Sequence, residues 1–376
     1  MSWLTRDAAL ARLGVKPQTL YAYVSRGLIR SQPAEDDPRS SVYSGSDIDA
    51  FLKRRRTGRA RSAIAEGTIA WGDPVMQTAI TTVRDGQLIY RGTDAVTLAE
   101  TAPLEEAAAL LWQADSLDTT STPQSPARGE TGKARLLSWL ATRAARDLPG
   151  HGRSPAALRR DGAVILNGAA EAITRSSGPD AFHGRLASYW LVGDEAGDLI
   201  RRALVLVADH ELNPSTFAAR VAASTGSSLA AAALAGCATL TGPRHGEASA
   251  RALAYLKAAC RDGPEAALGA IAARGEYMAA VGHALYPDGD PRARALLDWM
   301  DLGDPLKAAI EAAQEASGKL ANVDMALAAL TLKLGLPDDA PFLLFASGRI
   351  VGWLAHAMEQ LTSGQLIRPR ATYTGD

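Results

Sequence analysis

Residues 208–229 read ADHELNPSTFAARVAASTGSSL, and their last nine residues open a run without charged side chains that extends from Val221 to Pro243. Ala, Ser, Thr and Gly dominate this run, and such residues are too weakly apolar for a helix that faces lipid. The run therefore predicts a buried helix and argues against a membrane partner. His210, beside Asp209 and Glu211, stands just ahead of it as a candidate functional residue, although a single histidine is more often structural.

The chain on either side of this run, from residue 63 onward, is rich in Ala and Leu with an apolar period near 3.6 residues. That period predicts helices, so the fold class is all-α. One exception is residues 78–90, where alternating residues around Asp85-Gly86 predict a β-hairpin with a two-residue turn. The polar, proline-containing residues 115–131 predict a loop.

The composition excludes several classes of protein. The 376 residues are 47% hydrophobic and 22% charged, which fits two or three domains with a large core and excludes a disordered chain. With only Cys237 and Cys260, and no HxxxH, HxH or CxxC spacing, neither a disulfide framework nor a metal site is expected. No Walker or GxGxxG motif follows a strand, so no nucleotide cofactor is expected. Residues 1–13 lack the apolar segment of a signal peptide, and the expected compartment is the cytoplasm.

Charge divides the chain into two parts. Residues 1–62 contain twelve Lys or Arg and six Asp or Glu, a net charge of +6, whereas residues 63–376 carry −7. We therefore predict two modules with different partners. The basic run at 53–61, KRRRTGRAR, fits either a solvated linker or a tether that binds phosphates.

The basic module has the pattern of a helix-turn-helix. Thr5 and Gly14 bound a short first helix, and Pro17 and Gly27 bound a second whose inward residues are predicted to be Leu20, Tyr21 and Val24. Residues 31–44 could form a wing. The outer face of the second helix would then offer candidate DNA contacts at Gln18, Thr19, Tyr23 and Arg26. The runs LYAYVSRGLI and VYSGSDIDAFL resemble the winged helix-turn-helix of MerR-like and excisionase-like proteins. A domain that kept this fold and lost its DNA target is the alternative.

Residues 63–376 contain seven further motifs: Tyr90-Arg91-Gly92, residues 208–229, GPRHG at 242–246, GHALYPDGDPRA at 282–293, NVD at 322–324, GRIVGWLAHAMEQ at 348–360 and IRPRATYTG at 367–375. In their sequence and in their order along the chain, they resemble the motifs of the citrate synthase family. The resemblance implies a citrate synthase fold of a large subdomain (about 63–250 and 346–376) and a small one (about 251–345), working as a homodimer.

The resemblance also implies a reaction and its residues. An acyl-CoA would lose a methyl proton and add to the ketone of oxaloacetate, with CoA released by hydrolysis; acyl-CoA is a substrate, so no cofactor is expected. Asp324 would be the base, His245 would donate a hydrogen bond to the thioester oxygen as a neutral imidazole, and His283 would polarise the ketone. His210 and three arginines would bind oxaloacetate, namely Arg292, Arg349 and Arg368, the last supplied by the partner subunit.

Four positions depart from the family pattern. Glu247 replaces a second glycine after His245, and Ser249 replaces an asparagine. Val281 and Met325 replace aromatic residues, which would enlarge or soften the acyl pocket, so that it either admits propionyl-CoA or loses catalytic power. Two hypotheses follow: an active condensing enzyme using acetyl-CoA or propionyl-CoA, and a DNA-binding regulator in which a citrate synthase-like body senses a metabolite.

Overall fold

The computed structural model describes residues 3–25, 28–34, 40–52, 76–117, 127–178, 180–278, 280–371 and 373–375. The chain separates into two compact units, one ending at Gln77 and the other beginning at Thr78. The predicted boundary at residue 62 and the basic run at 53–61 lie outside the described residues. The first unit is small and mixed, and the second is mostly helical, as the apolar period predicts.

The first unit surrounds its own hydrophobic core. Its described elements are β1 (Trp3–Leu4), α1 (Arg6–Leu13), α2 (Pro17–Ser25), β2 (Ser31–Pro33), β3 (Ser41–Ser44) and a helical stretch at 45–52, here α3. Strand β3 lies between β1 and β2 and is antiparallel to both. As predicted, Thr5 caps α1, and Gly14 ends it with a left-handed φ of 64°. Six buried side chains form the core: Ala9, Leu13, Leu20, Ile29, Tyr43 and Ile48.

Helix α2 presents a different face from the predicted one. Tyr21, expected to point inward, is 51% exposed. Tyr23, expected on the outer face, is half-buried with its ring centroid 4.7 Å from that of Phe51. Because successive helical residues differ by about 100°, the stripe that includes Leu20 passes through position 23 and excludes position 21. Gln18 is exposed and Thr19 is partly exposed, whereas Arg26 lies outside the described residues.

The second unit begins with the predicted hairpin. Strands β4 (Thr81–Arg84) and β5 (Gln87–Tyr90) pair antiparallel around Asp85 and Gly86, whose φ values are 52° and 75°. Positive φ at both turn residues is the geometry that matches the twist of a two-residue hairpin. A short third strand, β6 (Thr93–Asp94), adds to β5. This sheet makes the unit mostly helical rather than purely so.

Fourteen described helices follow the sheet. They are α4 (Ala95–Thr101), α5 (Leu104–Trp112), α6 (Gly132–Arg146), α7 (Pro155–Thr174), α8 (Phe182–Tyr189), α9 (Asp194–Leu206), α10 (Pro214–Ser224), α11 (Leu229–Leu240), α12 (Ala248–Asp262), α13 (Pro264–Ala273), α14 (Pro291–Asp298), α15 (Asp304–Ser317), α16 (Val323–Lys333) and α17 (Ala340–Ser363). Within the described ranges, none is long and apolar enough to span a membrane. The predicted large and small subdomains stay a prediction.

The charge-free run from Val221 to Pro243 is two helices rather than the single one predicted. Helix α10 ends at Ser224, and Gly226 then takes a φ of 82° that stops the chain from continuing as a helix. The Ser228 side chain accepts a hydrogen bond from the backbone N–H of Ala231 and caps α11. A run without charge identifies burial, but a Gly-Ser pair inside it can still divide the helix.

Helix α17 lies across the core of this unit, and nineteen of its 24 residues are buried. It passes very close to the chain after α9. A Cβ added to Gly352 would lie 2.5 Å from the carbonyl oxygen of Ala208 and within contact distance of Asp209, and one added to Gly348 would lie 2.5 Å from the Leu204 carbonyl oxygen. The two glycines therefore allow an approach that places Arg349 and His356 beside the 208–213 loop.

Candidate active site

The loop between α9 and α10 places His210 in a buried position. The Asn213 side chain caps α10 by accepting the backbone N–H of Thr216 at 3.0 Å. The backbone nitrogen and carbonyl oxygen of Asp209 lie 3.2 and 3.1 Å from the hydroxyl of Tyr90, at the end of β5. His210 Nε2 lies 2.9 Å from the hydroxyl of Tyr286, a fully buried side chain. Burial is the main reason that the pKa of His210 falls well below its usual value.

The turn after α11 places His245. A Cβ at Gly246 would lie 2.2 Å from the carbonyl oxygen of Leu240, so this tight turn requires glycine. His245 Nε2 lies 2.8 Å from the Ser215 hydroxyl, which also accepts the indole N–H of Trp353 at 3.1 Å. Burial, with a smaller contribution from Arg349, lowers the pKa of His245 to about 4. The imidazole is therefore neutral near pH 7.

His283 completes a group of aromatic rings around His210. The ring centroids of His283 and His210 are 4.9 Å apart, and those of His283 and Tyr286 are 5.1 Å apart. Burial and then the Arg292 charge lower the pKa of His283 to about 4, so it too is neutral near pH 7. Two neutral imidazoles and a phenol thus face one another.

Arg292 and Arg349 bring positive charge to the same place, and each has a buried carboxylate nearby. Asp290 binds Arg292 through two contacts of 2.9 and 2.8 Å, and both side chains are almost fully buried. Arg349 donates from Nε to the Val207 carbonyl at 2.8 Å, while its Nη2 has no hydrogen-bond partner within the described chain. Burial lowers the pKa of Arg349 to about 10, which leaves it charged near pH 7. A buried guanidinium nitrogen without a partner is suited to an anionic ligand.

Asp324 lies in the first turn of α16. Asn322 caps this helix by accepting the Asp324 backbone N–H at 3.0 Å, and its amide nitrogen donates to the Gly282 carbonyl at 3.0 Å. The Val323 N–H donates to Asp290 at 3.0 Å, so the Asp324 turn is tied to both the His283 and the Arg292 segments. Burial is the largest influence on the Asp324 carboxyl and raises its pKa, which favours a stronger base.

The structure brings together six of the seven residues predicted to act on substrates: His210, His245, His283, Arg292, Asp324 and Arg349. Arg368 is the exception, because it lies on the exposed segment after α17. The supply of this arginine by a partner subunit stays a prediction. The described residues hold no cluster of His, Cys, Asp or Glu suited to a metal ion.

Comparisons with known proteins show which family the chain resembles. The profile of the citrate synthase C-terminal domain matches residues 166–370. A putative citrate synthase 2 of Mycobacterium tuberculosis is 31% identical over 349 residues, which cover 89% of this chain and 86% of that protein. This chain belongs to the citrate synthase family. It matches about half of the Haloferax volcanii citrate synthase, at 36% identity over 50% of this chain and 54% of that protein.

The fold is also that of citrate synthases. The Thermoplasma acidophilum citrate synthase, solved as a ternary complex with carboxymethyl coenzyme A and oxaloacetate, superposes with a TM-score of 0.66 at 22% identity. The match covers 81% of this chain and 94% of that one. The citrate synthase fold predicted from the motifs is therefore confirmed for most of the chain.

Sequence reasoning missed three residues of this candidate site. Tyr286 stands in the GHALYP segment and was not among the predicted site residues, yet its hydroxyl contacts His210. Asp290, in the DPR segment, is the buried partner of Arg292, and Ser215 contacts His245. Each of the three stands within five residues of a predicted site residue in the sequence. That proximity was the available signal.

The four departures from the family pattern have different consequences. Glu247 is exposed with an ordinary helical φ of −79°, so a side chain fits there without strain. Met325 is fully buried in the core, and Val281 is half-buried beside a cavity of about 580 Å³. Ser249 is the departure that reaches the site, because its hydroxyl donates to the Asp324 carboxylate.

Proposed function

We propose that this protein catalyses condensation of an acyl-CoA with oxaloacetate and releases CoA and citrate, or 2-methylcitrate from propionyl-CoA. The observation that carries the proposal is the grouping of neutral His245 and His283 with the Asp324 carboxylate around two buried arginines. A weak carbon acid needs a base together with donors at the oxygen on which charge develops, and this group supplies both.

Each residue has a stated part in the reaction. Asp324 removes a proton from the carbon next to the thioester, and His245 donates a hydrogen bond to the thioester oxygen. The enolate carbon then bonds to the ketone carbon of oxaloacetate, whose oxygen takes a proton from His283. Water finally hydrolyses the thioester and releases CoA.

The charges fit a dicarboxylate such as oxaloacetate. The Arg292 fork is already engaged by Asp290, whereas Arg349 Nη2 lacks a partner among the described side chains. A substrate carboxylate would supply that partner, and the His210 and Tyr286 pair would contact the other polar groups of the ligand.

The test is thiol release when oxaloacetate is mixed with acetyl-CoA or, in parallel, with propionyl-CoA. We expect turnover with at least one thioester, and the ratio of the two kcat/KM values reports whether Val281 has widened the site. Asp324→Ala should abolish turnover while calorimetric binding of oxaloacetate persists. Normal kcat in that variant would reject Asp324 as the base, and a wild-type protein inactive with both thioesters would reject the enzymatic proposal.

We also propose a homodimer in which Arg368 completes the partner's site. Its exposed position after α17, apart from the other six oxaloacetate and acyl-CoA residues of its own subunit, supports this arrangement. The inactive variants Asp324→Ala and Arg368→Ala can be unfolded, mixed and refolded together. If Arg368 acts across the interface, about a quarter of wild-type activity should return, since half of randomly formed dimers are mixed and each has one intact site. No recovery would place Arg368 in its own subunit's site or outside catalysis.

A second proposed role, as a metabolite-responsive regulator, belongs to the first unit, which we propose is a winged helix-turn-helix that binds DNA. The supporting observations are the +6 charge of residues 1–62, the α1–Gly14–α2 arrangement and the antiparallel pair of β2 and β3. Gln18 and Thr19 remain candidate base contacts, whereas Tyr23 packs inward. A gel-shift assay on the DNA upstream of its own gene, with and without oxaloacetate, should show salt-sensitive binding that the ligand changes. Absence of binding at low ionic strength would reject this role.

A further inference from the structure

The Ser249 hydroxyl directly contacts the proposed base. Ser249 lies in the first turn of α12, is 1% exposed and donates its hydroxyl hydrogen to Oδ1 of Asp324 on the neighbouring helix α16. No described residue donates a hydrogen bond to the other carboxylate oxygen, Oδ2. The two oxygens of one carboxylate are therefore distinguished by their surroundings.

We propose that Ser249 is a positioning residue for the reaction proposed above, one that holds Asp324 ionised and leaves Oδ2 as the atom that takes the substrate proton. A hydrogen bond given to a carboxylate stabilises its charged form. The same bond fixes the rotation of the carboxylate, so that its free oxygen has one orientation rather than several.

The need for such a donor follows from the other groups around Asp324. Burial disfavours its charge, and the Asp290 carboxylate at the start of α14 adds repulsion. Arg292 on α14 and Arg349 on α17 oppose these effects, but Asp290 already pairs with Arg292. Ser249 is the donor that belongs to Asp324 alone. Since the family commonly has asparagine here, the serine is a feature of this chain.

The first experiment measures the Asp324 pKa directly, without turnover. The carboxyl carbon is followed by NMR in protein labelled with 13C-aspartate, and Asp324→Asn assigns the signal. In Ser249→Ala the titration midpoint of Asp324 should rise by about one pH unit, the size expected for loss of a hydrogen bond to a charged group. Ser249→Thr keeps the hydroxyl and should keep the wild-type midpoint. The control Thr331→Val removes another buried hydroxyl, one that bonds within α16, and should not move the midpoint.

The second experiment is the pH dependence of kcat. In Ser249→Ala the acid limb should move upward by the same amount, so the variant loses activity at a higher pH than the wild type does and recovers it as the pH is raised further. The KM for oxaloacetate should not change. Damage to the structure would instead lower kcat at every pH. An unchanged Asp324 midpoint in Ser249→Ala would overturn the proposal, even if the wild-type protein catalyses the condensation. A wild-type protein without turnover would reject the proposed function but leave the NMR result to decide the role of Ser249.

Discussion

At the scale of single residues, the site depends on buried polar groups that form hydrogen bonds with one another. The Tyr286 hydroxyl is the hydrogen-bond partner of His210 Nε2, and both side chains are buried. In Tyr286→Phe the imidazole nitrogen loses that partner and the ligand loses a neighbouring hydroxyl. We expect the KM for oxaloacetate to rise about tenfold, corresponding to about 1.4 kcal/mol, with little change in the KM for acyl-CoA.

Tyr255→Phe is the matched control for this prediction. The Tyr255 hydroxyl is also buried and donates to the Ala309 carbonyl at 2.7 Å, but it joins α12 to α15 away from the substrate residues. This variant should lose stability without any change in the KM for oxaloacetate. Equal effects of the two substitutions on KM would show that Tyr286 acts only through general packing.

The residue scale also shows what sequence reasoning can and cannot reach. Ordered motifs located His245, His283 and Asp324 because these residues stand in distinctive local sequences. Ser249 was recognised as a departure, but its contact with Asp324 joins residues 75 positions apart and depends on how α12 packs against α16. The exchange of Tyr21 and Tyr23 between the two faces of α2 has a similar cause, since both tyrosines suit either environment and packing against Phe51 decides.

At the scale of secondary-structure elements, the approach of α17 to the 208–213 loop aligns much of the site. His356 on this helix lies 3.2 Å from the Asp209 carboxylate, and the Gly352 N–H donates to the Ala208 carbonyl at 2.9 Å. The periodicity of apolar residues predicts that α17 is helical and buried, but it cannot predict so short a separation. The glycines at 348 and 352 are the local signal for it.

Gly352→Ala tests whether this approach is needed. The added Cβ would overlap the Ala208 carbonyl and Asp209, so α17 must move away from the loop that carries His210. We expect a loss of roughly 1–3 kcal/mol in the free energy of unfolding together with weaker oxaloacetate binding, measured by urea denaturation and calorimetry. Gly269→Ala, on α13 where a Cβ meets no atom within 4 Å, is the control: it should leave oxaloacetate binding unchanged and raise the free energy of unfolding by about 0.5–1 kcal/mol, the usual gain from alanine inside a helix. A Gly352→Ala protein with wild-type affinity would mean that the loop tolerates the displacement.

At the scale of the whole molecule, the three imidazoles of the candidate site, whose pKa values are lowered, couple the stability of the protein to pH. Burial lowers the pKa of His245 and His283 to about 4 and that of His210 well below its usual value. The unfolded chain, with histidine pKa values near 6.5, therefore binds protons more readily than the folded one. Their full contribution to stability is present above about pH 6.5 and declines as the pH falls towards 4.

The corresponding experiment is urea denaturation between pH 7 and pH 5. Asp209 and Asp290 stay ionised in this interval, because His356 and Arg292 respectively lower their pKa values in spite of burial. The raised pKa of Asp324 acts in the opposite direction to the histidines, so the comparison with a histidine variant is what isolates the histidine contribution. We expect the free energy of unfolding to fall across it, with His283 alone contributing about 1–2 kcal/mol. His283→Asn removes that contribution and should show a shallower dependence than the wild type. Equal slopes in the two proteins would mean that His283 is protonated to the same extent in the folded and unfolded chains, contrary to its use as a neutral group in the condensation.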